Sequence, residues 1–321
     1  MKRIFLCTLL LSPFSLLQAE ALKPKTLKEM NLSQKQAKEL SSDLPAKAVV
    51  VDPFENIWFL GNNFLWKWIP MRNTLEQIKL LTAHPLKNLA VSGENVLVSD
   101  DEQIFQIESE PFKVISIPSP GKESRSLAIV GEATDVMYWI KSDGVYEIST
   151  AEKTLRKIYT HSVSESEDSK FLFFPENKTL WMTKNKELSY ISYGDSRKPK
   201  KIGKIEKNIT DIQKSHDDVF AMSQHSVFRY TKRAKLIQTI PVNPQRRIVL
   251  SSLQPSTHAY IFQDRLFEVH LPSDGKIFHF YLDIGRIHRA KTMSLRDSYL
   301  AIILDGNPRV FRFSNEIQRA L

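Results

Sequence analysis

The stretch "IWFLGNNFLWKW", residues 57–68, decides the fold. Two short apolar runs flank a Gly-Asn-Asn turn signal, which is typical of two antiparallel strands. Trp58, Trp66 and Trp68 are three of the chain's five tryptophans. Such crowding has two interpretations: an aromatic ligand-binding box, or one copy of a structural unit that recurs.

The same two-part pattern returns along the whole chain. Its central residues are separated by 39, 41, 43, 39, 40 and 41 positions, and they are Trp58, Leu97, Tyr138, Trp181, Phe220, Tyr260 and Ala301. A period near 40 residues with four strands in each unit is typical of propeller blades. Apolar runs on either side supply the other two strands, such as Ala48–Val51 before the first copy and Ile78–Leu81 after it. We therefore predict an all-β fold: a seven-bladed β-propeller of four-stranded antiparallel blades over residues 47–321.

The repeat favours the structural interpretation of the tryptophans. Neighbouring blades radiate from a common axis, so bulky rings at matching positions fill the widening gap between them. One matching position is filled by Trp58, Tyr138, Trp181, Phe220 and Tyr260, and a second by Trp66, Phe105, Tyr146, Phe228, Phe267 and Phe311.

The first unit, "VVVDPFENIWFLGNN" at residues 49–63, resembles propeller repeats of the NHL and two-component-regulator type. Later units keep less of the pattern, and Asp52 has no clear counterpart in most of them. The resemblance implies the architecture and no particular activity, because this superfold carries enzymes, receptors and scaffolds.

The N-terminus predicts export. Lys2 and Arg3 precede an apolar run from Ile4 to Leu17, and cleavage after Ala19 or Ala21 is expected. Residues 1–21 are therefore interpreted as a signal peptide, which places the mature protein in the periplasm or outside the cell. Residues 22–46 form an N-terminal arm, expected to pack on the propeller and to contain a short helix over Ser33–Leu40 capped by Ser33. The arm could also supply the outer strand that the last blade lacks.

Composition limits the chemistry and the partners. The only cysteine is Cys7, so the mature chain can form no disulfide, thiol nucleophile or cysteine-ligated metal site. The net charge is +9, and removal of Lys2 and Arg3 leaves +7. We expect an envelope protein or an anionic polymer as partner. No nucleic-acid motif and no transmembrane segment is predicted, and the oligomeric state stays open with a monomer as the working expectation.

Catalytic patterns are sparse. The histidines are scattered, without HxH or HExxH spacing, and a surface position is expected for each of them. Neither a nucleotide-binding fingerprint nor a calcium loop is present. The sequence therefore predicts no cofactor and no metal, and it favours a non-enzymatic role.

Loop cations are the best candidates for contacts with a partner. Connections between blades share one face of a propeller, and basic residues recur in them, whereas the first-to-second turns of the opposite face are often acidic. Guanidinium groups match carboxylate and phosphate geometry. The partner-binding candidates are Lys122, Arg125, Lys207, Arg246, Arg247, Arg286, His288 and Arg289. Two alternatives stay open: these charges merely solvate the loops, or the protein is a lyase or hydrolase acting on a polysaccharide or small ester at the central funnel.

Overall fold

The structure is a computed structural model of the chain. It describes residues 25–312 except 28, 110–111, 120–123, 132–135, 150–151, 165–168, 196, 216–217, 224, 242–249, 253–257, 262–265, 272–275, 284–289 and 297. The predicted signal peptide lies outside the described residues. Within them, no helix is both long enough and apolar enough to cross a membrane.

Short strands joined by tight turns make up nearly the whole described chain. The N-terminal elements are β1 (Lys25–Leu27), β2 (Glu29–Met30) and α1 (Gln34–Ser41). The next strands are β3 (Ala48–Val51), β4 (Ile57–Leu60), β5 (Leu65–Ile69), β6 (Thr74–Ile78), β7 (Asn88–Ser92), β8 (Asn95–Ser99), β9 (Gln103–Ser109), β10 (Phe112–Pro118), β11 (Ser126–Gly131), β12 (Val136–Lys141), β13 (Gly144–Ser149) and β14 (Thr154–Thr160).

The second half of the chain continues in the same way. Its strands are β15 (Lys170–Phe174), β16 (Thr179–Lys184), β17 (Glu187–Ser192), β18 (Lys201–Lys207), β19 (Ile209–Ser215), β20 (Asp218–Ser223), β21 (Ser226–Thr231), β22 (Leu236–Pro241), β23 (Leu250–Ser252), β24 (His258–Ile261), β25 (Leu266–Leu271), β26 (Lys276–Leu282), β27 (Ala290–Arg296), β28 (Tyr299–Leu304) and β29 (Asn307–Arg312). A 3₁₀ turn, Pro175–Asn177, connects β15 to β16.

Consecutive strands form antiparallel sheets, each named here by its innermost strand. The β3, β7, β11, β15 and β19 sheets each contain four successive strands, the β23 sheet contains β23–β26, and the β27 sheet contains β27–β29. The innermost strands contact one another in chain order, and β27 contacts β3. The fold is therefore an all-β propeller of antiparallel blades, as the sequence predicts.

The prediction of seven equivalent four-stranded blades needs a correction. Six of the sheets in the described ranges are four-stranded, and the β23 sheet has five strands. The fifth strand is β1, which pairs in parallel with β26 from Lys25↔Phe280 to Leu27↔Leu282. The outer edge of β26 offers unpaired backbone groups, and the N-terminal arm satisfies them.

The start of the chain also completes the β27 sheet. Strand β2 pairs antiparallel with β29 as the fourth strand, with Glu29 opposite Phe311 and Met30 opposite Val310. Oε1 of Glu29 lies 2.7 Å from Nη1 of Arg309. Helix α1 follows with Ser33 as its N-cap and a capping box to Gln36, so the predicted helix is confirmed.

The tryptophans of the opening stretch are core residues. Trp58 is fully buried with Val96, Val98 and Phe105 of the β7 sheet. Trp66 and Trp68 lie on the opposite side of the β3 sheet, in a cluster that includes residues of β28. Trp181 is fully buried against Val219, Ala221 and Tyr230 of the next sheet, which matches the surroundings of Trp58. The predicted wedge of aromatic rings between blades is confirmed for these residues.

One strand boundary differs from the sequence prediction. The outer strand of the β3 sheet was expected at Ile78–Leu81, but β6 spans Thr74–Ile78. Arg72 and Asn73 close a tight turn directly after β5, with their N–H groups donating to the carbonyls of Ile69 and Pro70. Pairing with β5 therefore begins at once, and polar residues rather than apolar ones form this exposed edge.

Candidate functional site

Two of the candidate cations lie among the described residues. Arg125 directly precedes β11, and Lys207 ends β18, so both lie where one sheet connects to the next. Both residues are exposed, and across the described ranges neither side chain forms an ion pair. The other candidates fall outside the described residues: Lys122, Arg246, Arg247, Arg286, His288 and Arg289.

Basic residues occupy the same place in three consecutive sheets. Lys47, Lys87 and Arg125 each directly precede an innermost strand. The N–H of Lys47 donates to the carbonyl of Leu60 at 2.7 Å, and the N–H of Lys87 makes the same bond to Ser99 at 2.7 Å. Because the innermost strands surround the axis, these residues form a row around one end of the ring, here called the basic row (Lys47, Lys87 and Arg125).

Lys47 is engaged by the protein itself. Its Nζ donates to the carbonyls of Asn62 at 3.2 Å and Leu86 at 3.4 Å, which ties the β3 sheet to the connection that follows it. Burial lowers the pKa of Lys47, while the charge of Asp43 opposes that shift. This lysine therefore acts mainly as a structural link.

The other two members of the basic row differ in their pairing. Nζ of Lys87 lies 2.9 Å from Oδ2 of Asp101. The Arg125 side chain is exposed and has no counter-ion among the described residues. Arg125 is thus the member of the row best placed to bind an external anion, since a guanidinium can donate two parallel hydrogen bonds to a carboxylate or phosphate.

A buried lysine, Lys141, lies beside the basic row and was not among the candidates selected from the sequence. Nζ of Lys141 donates to the carbonyl of Asp101 at 2.9 Å and to Oγ of Ser119 at 2.7 Å. It also lies 4.4 Å from the ring centre of Trp139. Burial lowers the pKa of Lys141, and the charges of Asp143 and Asp101 are the largest opposing influences. Lys141 is the last residue of β12, a position at which the sequence alone predicts an exposed lysine. Its burial is visible only in the folded structure.

Ser126, the residue after Arg125, is held by hydrogen bonds to several neighbouring side chains. Its Oγ accepts hydrogen bonds from Nδ2 of Asn88 at 2.8 Å and from Nε1 of Trp139 at 2.6 Å. Its N–H donates to Oδ1 of Asp101 at 2.7 Å. The residue next to Arg125 is therefore held by side chains from β7, β12 and the β8–β9 turn, which favours a rigid contact surface.

His161 corrects the expectation that each histidine lies on the surface. It is 7% exposed, with Nδ1 2.6 Å from the hydroxyl of Tyr193 and Nε2 2.9 Å from the carbonyl of Lys141. A carbonyl only accepts, so Nε2 carries the proton and Nδ1 accepts from Tyr193. Burial is the main influence lowering the pKa of His161 and is also the main influence raising that of Tyr193. The pair is part of the interior between the β11 and β15 sheets.

Metal-ligating side chains do not cluster among the described residues. No group of three or more metal-ligating side chains is found among them. His84 and His225 are exposed, and His84 lies 3.2 Å from Glu102.

Comparison with known proteins adds the fold context. The sequence matches no protein-family model and no curated protein. A streptogramin B lyase structure is similar over 92% of this chain and 100% of that chain, with 13% identity and a TM-score of 0.66. The structure of virginiamycin B lyase from Staphylococcus aureus is similar over 90% of this chain and 99% of that chain, with 13% identity and a TM-score of 0.64.

A third similar structure is PorZ, a bacterial surface component of the type-IX secretion system of Porphyromonas gingivalis. The similarity covers 82% of this chain and 36% of that chain, with 13% identity and a TM-score of 0.56. At these identities the three likenesses show a shared propeller fold.

Proposed function

We propose that the protein is an exported binding or scaffolding propeller that engages an envelope protein or an anionic polymer through one face. The observation that carries the proposal is the exposed guanidinium of Arg125 within the basic row, which has no counter-ion among the residues that the structure describes. The positive net charge of the chain supports it, because it draws anionic partners toward the surface. Lys207 is likewise exposed and forms no ion pair across the described ranges. The candidates Lys122, Arg246, Arg247, Arg286, His288 and Arg289 belong to the proposal on residue type alone.

Charge reversal tests this surface. We expect Arg125→Glu to weaken binding to polygalacturonate about tenfold, and more at low salt than at high salt, since exposed charges are screened by ions. Binding is measured by biolayer interferometry, with neutral dextran as the comparison polymer. The matched control is Arg72→Glu, because Arg72 is an exposed arginine in the β5–β6 turn, at the opposite end of the sheet.

Two outcomes would overturn the proposal. In one, Arg125→Glu leaves binding unchanged. In the other, Arg72→Glu weakens binding as much as Arg125→Glu, which indicates a response to net charge alone. Affinity purification from the native envelope followed by mass spectrometry then decides whether a single stoichiometric protein or a polymer occupies the surface.

The proposal also includes the domain boundaries and the repeat type predicted from the sequence. They are a signal peptide at residues 1–21, an arm at 22–46, a propeller at 47–321 that counts the β23 sheet as its seventh blade, and NHL-type repeats. Export to the periplasm or the exterior follows from the signal peptide. N-terminal sequencing of the mature protein checks it: a start at Glu20 or Leu22 is expected, and a start at Met1 contradicts it.

A second candidate function is that of a lyase or hydrolase. Two of the similar structures are lyases, and the Nζ of Lys141 lies 2.7 Å from Oγ of Ser119. A lysine of lowered pKa beside a serine can act as its base in attack on an ester carbonyl. Hydrolysis of small esters that is lost in both Ser119→Ala and Lys141→Met would support this function, and activity that survives both changes would exclude this pair.

A further inference from the structure

A basic cleft lies between the β11 and β15 sheets, apart from the basic row. Its volume is about 240 Å³. It is bordered by the outer strand β14 and by the connection between β17 and β18. The lining side chains are mostly basic, namely Arg156, Lys157, Lys178 and Arg197, with Ile158, Tyr159, Gly194 and Asp195 completing the wall.

The cations of this cleft are not equally neutralised. Arg156 pairs with Glu147 at 2.7 Å, and Lys157 pairs with Asp143. The guanidinium of Arg197 has no hydrogen bond or ion pair to any residue that the structure describes. The cleft therefore presents one positive group without a counter-ion.

Lys178 adds a second cation that a ligand can recruit. Its Nζ lies 2.9 Å from Oδ1 of Asp195, but that carboxylate is fully exposed at 103% relative accessibility. An ion pair with a fully exposed partner contributes little stability, so an anion in the cleft can replace it at small cost. Lys178 and Arg197 thus offer donors from two separate turns.

Backbone hydrogen bonds fix the main chain that carries these two cations. The N–H of Thr160 donates to the carbonyl of Arg197 at 2.8 Å, which fixes the β17–β18 connection against β14. The N–H of Tyr193 donates to the carbonyl of Lys178 at 3.0 Å. Gly194 has φ +58°, and a Cβ there would lie 2.9 Å from the Lys200 side chain. The wall is therefore preorganised, which reduces the entropy lost when a ligand binds.

An aromatic side chain lines the same cleft. The ring of Tyr159 stacks on that of Tyr193, with 4.3 Å between centroids and 14° between planes. Tyr193 is in turn held by its hydrogen bond to His161. Tyr159 stays partly exposed toward the cleft. Rigid aromatic rings supply apolar contact area, with a hydroxyl at one end for a hydrogen bond.

We propose that this cleft binds a sugar that carries a carboxylate or phosphate group, with Arg197 and Lys178 contacting the anion and Tyr159 contacting the sugar ring. A guanidinium accommodates either anion through two parallel hydrogen bonds. The cleft volume of about 240 Å³ suits one small ligand. This site is separate from the surface around Arg125 and does not depend on the function proposed for it.

Titration calorimetry with glucuronate and glucose 6-phosphate tests the site in the full mature chain. We expect at least one of them to bind with a Kd of about 1 mM or tighter, and neutral glucose to bind at least tenfold more weakly. Inorganic phosphate is included, and it should bind more weakly than the sugar phosphate because it cannot contact Tyr159. A comparison of the two affinities shows whether the site prefers a carboxylate, as in glucuronate, or a phosphate, as in glucose 6-phosphate.

Variants locate the binding. Arg197→Ala should weaken binding about tenfold without lowering the unfolding temperature, because the guanidinium makes no bond in the described structure. Lys178→Ala should weaken it several-fold, and Arg125→Ala should leave it unchanged. The proposal is overturned if neither sugar binds, if glucose or inorganic phosphate binds as tightly as the charged sugars, or if Arg197→Ala has no effect. Loss of polygalacturonate binding in Arg125→Glu with sugar binding intact separates this site from the proposed function.

Discussion

Oδ2 of Asp52 accepts a hydrogen bond of 2.8 Å from the indole Nε1 of Trp58. The equivalent tryptophan, Trp181, is equally buried, but its Nε1 has no hydrogen-bond partner among the described residues. Pro175 stands six positions before Trp181, as Asp52 stands six before Trp58. The two turns share a backbone hydrogen bond, Glu55 to Asp52 and Lys178 to Pro175, each at 3.1 Å.

Pro175→Asp should therefore stabilise the protein. The new carboxylate is expected to reach Nε1 of Trp181, and satisfying a buried donor contributes about 1 kcal/mol to the free energy of unfolding. Urea denaturation measures the change. Pro175→Ala is the control, because it removes the proline ring without adding an acceptor. Equal stability of the two variants would show that the carboxylate does not reach the indole.

Asp52→Ala should destabilise the protein strongly. Besides Trp58, the buried Asp52 carboxylate accepts from the N–H groups of Phe54 at 2.9 Å and Asn56 at 2.8 Å, and from Nδ2 of Asn56 at 2.9 Å. Leaving these donors unpaired is expected to cost about 3 kcal/mol of unfolding free energy. Chemical denaturation checks the value, with the exposed Asp195→Ala expected to leave the free energy of unfolding close to that of the native chain. A loss below about 1 kcal/mol for Asp52→Ala would contradict this account.

Gly61→Ala should destabilise the protein more than Gly93→Ala. A Cβ on Gly61 would lie 1.9 Å from Oδ2 of Asp43, whereas one on Gly93 would meet nothing within 4 Å. That carboxylate oxygen already accepts from Nε1 of Trp66 at 2.9 Å, so it cannot move freely. Overpacking costs about 1–3 kcal/mol, and the φ of +54° at Gly93 leaves only a conformational cost of about 1 kcal/mol. Thermal and urea unfolding of both variants give the order, and a larger loss for Gly93→Ala would refute it.

The buried His161 should make stability depend on pH. Its folded-state pKa is lowered, so between the usual histidine pKa of about 6.5 and that lowered value the unfolded chain binds more protons. Stability attributable to this residue is then complete above pH 6.5 and falls as the pH drops, by up to about 1.4 kcal/mol per pH unit.

Urea denaturation at pH 7.5 and pH 5.5 tests this dependence. His161→Gln should lose less stability on acidification than the native chain, whereas His225→Gln, at an exposed histidine without an ion pair in the described ranges, should behave like the native chain. Carboxylates that titrate in the same range are common to all three proteins, so the difference reports on His161. Equal acid sensitivity of His161→Gln and the native chain would contradict the assignment.

The architecture was accessible from the sequence because it repeats. The positions of Trp58 and Trp181 could be matched by spacing alone, and both proved to face the following sheet. The strand β6 was misplaced because three of its five residues, Thr74, Glu76 and Gln77, are polar and exposed, which weakens the hydrophobic pattern of the strand. Likewise, the fifth strand of the β23 sheet depends on a contact between distant parts of the chain, which local periodicity does not encode.

The candidate site was less accessible to prediction for a different reason. Loop cations such as Arg125 could be selected by residue type, but pairing decides which of them is free, and pairing is a property of the fold. Lys141 and His161 show the same limit, because their burial follows from neighbouring strands rather than from their own sequence surroundings. The cleft around Arg197 likewise combines residues of two sheets that no spacing relates.

The pairing of β2 with β29 has a consequence for biosynthesis. Glu29 and Arg309 are 280 positions apart, so β2 cannot complete the β27 sheet until β29 has been synthesised. Until then the backbone groups of β2 have no partner strand and are open to other chains. A nascent or C-terminally shortened chain is therefore exposed to misassembly and to chaperones, and its assembly should be slow, as expected for contacts so distant in sequence.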